Sequence, residues 1–306
     1  MVTMIDPIDR TYGAVVASLP AELRPMARSL PHALGLTADP HTGWAEFIRQ
    51  PATRDLPGLA AQGLEKSGGG RVSAPALELF RNAHHCAGFY GLLIDRLADG
   101  QVRPKPGMRD VRRSLLCAWT RALAEAMGDA DAAHSAIAHA LEAWALGVRA
   151  QRSLANGATL LPDAYVAMSR NRLLWTSTST ACLLGAAAPR EQRLAFLVAY
   201  DRYILAMQYI DDARDAAEDE RLFGASFPRA LGLPASGLIR AAALLALEGL
   251  FTAAAGGFED FARSMLPLLV ALEARRSSET ALEGDLAALA LVEAARRPPT
   301  PPSSGG

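Results

Sequence analysis

Tyr200–Asp219, YDRYILAMQYIDDARDAAED, begins apolar and turns acidic. At about 100° per residue, Tyr200, Ile204, Met207, Gln208, Asp211, Asp215 and Asp219 share one helical face, greasy at one end and carboxylate at the other. Aspartate is a mediocre helix former, and like charges four residues apart repel by about 0.2–0.5 kcal/mol per pair. Asp211/Asp215 and Asp215/Asp219 are two such pairs, with Asp212 and Glu218 alongside. Hard oxygen donors in a row suit a Mg²⁺ ion shared with phosphate oxygens, and the alternative is a solvated acidic face.

A second acidic end follows the same design. Ala74–Asp99 has helical periodicity, with His84, Gly88, Gly91, Leu92, Asp95 and Asp99 on one face. Gly88 and Gly91 are costly inside a helix, so they either admit a close neighbour or leave room for a ligand. His84 and His85 lie about three turns above Asp95, and His84 reads as a core histidine. The basic loop beyond, GQVRPKPGMRDVRR, carries Arg103 and Lys105, suited to an anion met by a metal. Arg172 lies on a third periodic segment, Asp163–Leu184, with Tyr165, Met168, Ser169 and Thr176; it is either an anion ligand or half of a buried ion pair. The loop SGGGR at 67–71 is either a hinge or a phosphate-touching turn.

These parts suit ionisation of a diphosphate ester. The leaving diphosphate needs its charge neutralised, which carboxylate-held Mg²⁺ and Arg or Lys accomplish without a protein nucleophile. The remaining carbocation needs an apolar, water-excluding pocket with aromatic faces. Phe89, Gly91, Leu92, Met168, Trp175, Thr176, Tyr200, Tyr203, Ile204 and Met207 are the expected lining, with ordinary core packing as the competing role for each aromatic ring.

The elements that must hold these groups are helical. No strand-like alternation of useful length occurs, so the fold class is all-α. Residues 1–66 read as an irregular helical arm or cap broken by prolines, 67–295 as the main helical domain, and 296–306, RRPPTPPSSGG, as a disordered tail. Half of the 306 residues are hydrophobic and the net charge is −1, so nothing global points to nucleic acid. Cys86, Cys117 and Cys182 have neither disulfide nor zinc spacing and read as buried thiols. The N-terminus lacks a signal peptide pattern, and the apolar run 238–258 contains Arg240 and Glu248. The expectation is a cytoplasmic protein without a membrane span.

From about Arg71 to Leu231 the chain resembles the class I isoprenoid synthases, the superfamily of terpene cyclases and polyprenyl diphosphate synthases. FYGLLIDRLAD resembles the first aspartate-rich motif, with Asp95 and Asp99 in its outer acidic positions. MQYIDDARD resembles the second, with Gln208 preceding Asp211, Asp212 and Asp215. DAYVAMSRNR resembles the segment bearing a phosphate-binding Lys, and Arg172 takes that place; GASFPRAL resembles the segment after the second motif. The resemblance implies a single large helical bundle around a central cavity. It implies metal ligation by Asp95, Asp99, Asp211, Asp212, Asp215 and Asp219, and diphosphate binding by Arg172, Arg103, Lys105, Arg96 and Gln208. About three Mg²⁺ ions bound with diphosphate, Mn²⁺ as a substitute metal, and a homodimer are family expectations.

Departures from the pattern narrow the reaction. Arg96 stands where the first motif has its second Asp, GGGR at 68–71 is a poor counterpart of the elongating enzymes' basic signature, and the Arg pair after the first motif is reduced to RPKP. The expectation is therefore a terpene cyclase acting on a linear prenyl diphosphate of fifteen or twenty carbons. The alternatives are a prenyl diphosphate synthase or prenyltransferase, and a catalytically silent helical regulatory subunit.

Overall fold

In the computed structural model, which describes residues 5–154, 159–276 and 283–298, sixteen α-helices and no strand occur among the described residues, so the protein is all-α. In chain order these are α1 (Pro7–Ser18), α2 (Arg24–Arg28), α3 (Leu30–Ala33), α4 (Trp44–Phe47), α5 (Pro51–Arg54), α6 (Leu56–Lys66), α7 (Ala74–Ala98) and α8 (Met108–Met127). There follow α9 (Ala130–Leu154), α10 (Pro162–Leu173), a 3₁₀ turn (Leu174–Thr176), α11 (Thr178–Ala187), α12 (Arg190–Phe223), α13 (Phe227–Leu231), α14 (Ala235–Ala255), α15 (Glu259–Arg276) and α16 (Glu283–Arg296). The chain forms two compact units, Met1–His139 with Trp175–Arg190, and Ala140–Leu174 with Glu191–Gly306. Of the expected tail, residues 299–306 lie outside the described residues.

The first unit is built on α7, which packs with α1, α6, α8 and α11. Ser73 caps its N-terminus by accepting from the Ala76 amide at 3.3 Å, and Pro75 suits its first turn. Of the expected arm, the described residues 5–66 belong to this unit: Tyr12 and Trp44 close on Phe89 with ring centroids 5.0 and 4.9 Å away. Asp55 joins α6 to α7, capping the Gly58 amide at 3.0 Å while receiving both arms of the Arg81 guanidinium at 2.8 and 2.6 Å. Gly70, at φ +139°, lies so close to the Ala187 carbonyl that a Cβ would meet its oxygen at 2.8 Å. Cys86 is buried, but Cys117 is exposed and Cys182 only half-buried, so the expectation of three buried thiols holds for one. Cys117 falls on α8 outside the buried register of Val111, Leu115, Trp119 and Leu123.

The second unit buries Tyr165 and Val166 of α10, Leu205, Ala206 and Tyr209 of α12, Leu238, Ala241 and Leu245 of α14, and Leu291 and Val292 of α16 in one core. Arg170 links three of these elements: it grips Asp201 of α12 with two contacts of 2.8 Å and donates to the Ala295 and Arg297 carbonyls at the end of α16. Helix α14 is, among the described residues, long and apolar enough to cross a membrane by length and composition, with a mean hydropathy of 1.7. A core helix has the same composition, and the buried Leu238, Ala241, Leu245 and Ala253 give α14 that packing.

The helix expected over Asp163–Leu184 is interrupted at the 3₁₀ turn. The run Thr176-Ser177-Thr178-Ser179-Thr180 supplies hydroxyls that compete with helical backbone hydrogen bonds. The break also coincides with a division between the units, Leu174 ending one and Trp175 beginning the other. Ser226 caps the short α13, its hydroxyl accepting from the Arg229 amide at 3.4 Å.

His84 and His85 are buried as neutral rings, each Nε2–H donating to a carbonyl: Thr53 at 2.7 Å and Arg54 at 3.1 Å. Burial lowers the pKa of both and brings His85 down to about 4. The unfolded chain therefore binds more protons below the free histidine value of about 6.5, and the stability these residues contribute is lost as pH falls from there toward 4. His85 alone accounts for about 3 kcal/mol across that window. In urea unfolding at a series of pH values, His85→Gln should lose less stability between pH 6.5 and 4 than the wild-type chain does.

Candidate functional site

Helix α12 places its acids by register. Its buried stripe runs through Phe196, Ala199, Tyr203, Ala206 and Tyr209, and Asp212 continues it inward, only 7% exposed. Asp211 is exposed, and Asp215 and Asp219 are half-buried. Tyr165 Oη donates to Asp212 Oδ2, and Gln208 Nε2 donates to Oδ1 at 2.8 Å. Tyr165 is itself wedged between Tyr209 and Phe227, with ring centroids at 5.1 and 5.4 Å. Burial pushes Asp212 up to about 7, against the lowering effect of those two donors and the nearby Arg172. Asp212 and Gln208, expected as metal ligand and diphosphate contact, are thus committed to each other, because the core register turns the carboxylate toward protein donors.

The outward acids have a cation already. Arg214 donates Nε to Asp215 Oδ1 at 2.8 Å and Nη2 to Asp211, bridging the two carboxylates. The repulsion between these carboxylates is thus relieved within the chain, through the i,i+3 pairing of Asp211 with Arg214 and the adjacent Asp215. Among the described residues no group of three or more His, Cys, Asp or Glu side chains is arranged to hold a metal ion. The donor chemistry nevertheless fits Mg²⁺, which takes one or two carboxylates and completes its shell with phosphate oxygens and water. The Arg214 guanidinium marks, as a stand-in cation, where Asp211 and Asp215 converge.

Arg172 is buried at 9% exposure and donates Nη1 to Gln151 of α9. Its stem passes Gly147, where a Cβ would come within 2.7 Å of Arg172 Cγ. Gly147 and Gln151, one helical turn apart, form the seat of the arginine, and nothing in their spacing alone distinguished them. The anion-binding role expected of Arg172 therefore requires this seat to open toward a ligand.

In the first unit, Asp95, Arg96 and Asp99 are half-buried at the end of α7, and Asp99 is its C-cap, donating its amide to the Asp95 carbonyl at 2.9 Å. Carboxylates there meet the negative end of the helix dipole, by itself an unfavourable placement. Asp219 lies just before the last turn of α12. Arg103 and Lys105 are exposed on the loop between the left-handed Gly100 and Gly107.

The expected pocket residues divide. Phe89 is fully buried between Tyr12 and Trp44, which makes it a core residue rather than a cavity wall. Gly91 admits a close neighbour: a Cβ there would lie 2.5 Å from the Trp175 indole. Gly88 has open space where its Cβ would be. Leu92, Trp175 and Thr176 are half-buried in the first unit. In the second, Met168 is buried, Tyr200 and Tyr203 pack near Phe261 with centroids at 6.3 and 6.2 Å, and Ile204 and Met207 are half-buried.

A scan against protein-family models gave no match, and a search of curated proteins gave none.

Because Asp212 has a raised pKa, the native state holds its proton more tightly than the unfolded chain, and the stability this supplies is lost as pH rises from about 4 through 7. Above pH 7 the ionised, buried carboxylate depends on Tyr165 and Gln208. Tyr165→Phe should therefore destabilise by about 1–3 kcal/mol, more at pH 8 than at pH 6, measured as the shift in urea midpoint at the two pH values.

Proposed function

We propose that the protein is a Mg²⁺-dependent class I terpene synthase that ionises a linear prenyl diphosphate of fifteen or twenty carbons and releases diphosphate. The observation that carries this reading is the pair Asp211 and Asp215, converging on a cation at the acidic end of an otherwise apolar helix, with Asp212 held inward and Arg172 nearby. In this reading Asp211 and Asp215 would hold the metal on α12, with Asp219 in the following turn and Asp95 and Asp99 as the ligands of the first motif. Mg²⁺ bound there would offset the charge that develops on the leaving diphosphate.

The chain's own groups have separate tasks. Tyr165 of α10 holds Asp212 turned inward, which constrains the rotation of α12 and so the outward aim of Asp211 and Asp215, while Gln208 of the same helix satisfies the other Asp212 oxygen. Arg214 holds these two carboxylates, which would be the ligands of the metal, and its side chain is 62% exposed and able to swing aside. Arg172 supplies a buried positive charge, and Arg103, Lys105 and Arg96 supply cations for the diphosphate. The apolar half of α12, from Tyr200 to Met207, suits the hydrocarbon chain.

Arg96 within the first acidic motif and the Arg214 bridge also favour a second reading, a helical protein of the same ancestry that no longer turns over. Incubation with farnesyl or geranylgeranyl diphosphate and Mg²⁺ should yield a terpene hydrocarbon or alcohol. Products of increased chain length that require isopentenyl diphosphate would instead identify a prenyl diphosphate synthase. Absence of both turnover and calorimetric binding of Mg²⁺ with inorganic diphosphate identifies the silent protein. Asp95→Ala and Asp211→Ala should each lower turnover by roughly 10²-fold or more with helicity unchanged by circular dichroism.

A further inference from the structure

A cavity of about 320 Å³ opens among α1, α7 and α8 of the first unit, apart from every residue assigned above to diphosphate chemistry. Interiors are close-packed, and a space of this size lies within the range of small-molecule sites. Val15, Cys86 and Ala118 give it an apolar lining. Burial pushes the Cys86 thiol up to about 12, so it stays neutral and behaves as part of that wall. The polar groups are unevenly charged. Arg10 on α1 and Arg121 on α8 contribute two cations, and Glu78 on α7 one carboxylate, which stands 3.9 Å from Arg81. Arg121 forms no ion pair among the described residues, and Arg10 donates to the Ile5 carbonyl at 3.3 Å. Asn82 pairs with Thr11 Oγ1 at 2.8 Å through one atom of its amide, and the other atom has no partner among the described residues.

We infer that this cavity is a binding site for a small organic anion, its acidic head held by Arg10 and Arg121 and its apolar body lying along Val15, Cys86 and Ala118. Charge complementarity selects an anion, since two arginines and one glutamate are the charged residues of the lining, and the apolar wall selects an organic one over a bare ion. This inference does not depend on the diphosphate reading.

Titration calorimetry of the full chain with naphthalene-1-carboxylate, its neutral amide and inorganic phosphate provides the test. The carboxylate should bind at least about tenfold more tightly than either of the others, and Arg121→Ala should weaken it by about tenfold. Ala118→Trp, which fills the cavity, should abolish binding while thermal unfolding stays cooperative. Where Ala118→Trp does not fold, Arg121→Glu at its exposed position carries the same comparison and should abolish binding. No binding of the carboxylate, equal affinity for the neutral amide or for phosphate, or undiminished binding in the variants would overturn the inference.

Discussion

The burial of Asp212 constrains how the helices of the second unit meet. A carboxylate in a core register is tolerated only with donors on both oxygens, and Tyr165 and Gln208 supply them. Tyr165 can do so because Pro162 starts α10 and Tyr209 and Phe227 hold its ring. The rotation of α12 is thereby set, and Asp211 and Asp215 follow outward as a geometric consequence. Arg170 fixes the same helix from another side, through Asp201 and the last carbonyls of α16.

Electrostatic compensation recurs along α12. Asp201 serves Arg170 and Arg202, Glu248 meets Arg202 at 3.7 Å as well as Arg296, and Arg214 relieves Asp211 and Asp215. The buried pairs limit how far the helix can turn or slide, whereas the exposed Arg214 bridge contributes little stability and is easily exchanged. That difference separates a scaffold from a place where a ligand could compete. Asp211 and Asp215 fall in the exchangeable class, and Asp212, held by Tyr165 and Gln208, in the fixed one.

Much of the helical layout was legible in the residues. The stripe of α7 follows the 3.6-residue period closely enough to locate it, with its end displaced by one residue, and the stripe over Tyr200–Asp219 falls inside the longer α12. The 3₁₀ turn after Leu173 was not legible, because periodicity continued across it while the hydroxyl run altered the backbone. At the site, acid spacing identified the outward pair, but a face count could not separate a carboxylate in water from one against Tyr165. Phe89 shows the same limit: an aromatic on the acidic helix suggested a wall, and Tyr12 and Trp44, distant in sequence, made it core.

By itself the sequence determined the all-α class, the acidic ends of α7 and α12 and the presence of Arg172 between them in the chain, since helix period and charge spacing are local properties. Only the tertiary structure decided that Asp212 faces inward, that Gln208 serves it, that Gln151 and Gly147 seat Arg172, and that Gly91 receives the Trp175 ring. Each of those outcomes depends on which side chain from a remote segment fills the adjoining space, and that is set by packing rather than by spacing along the chain.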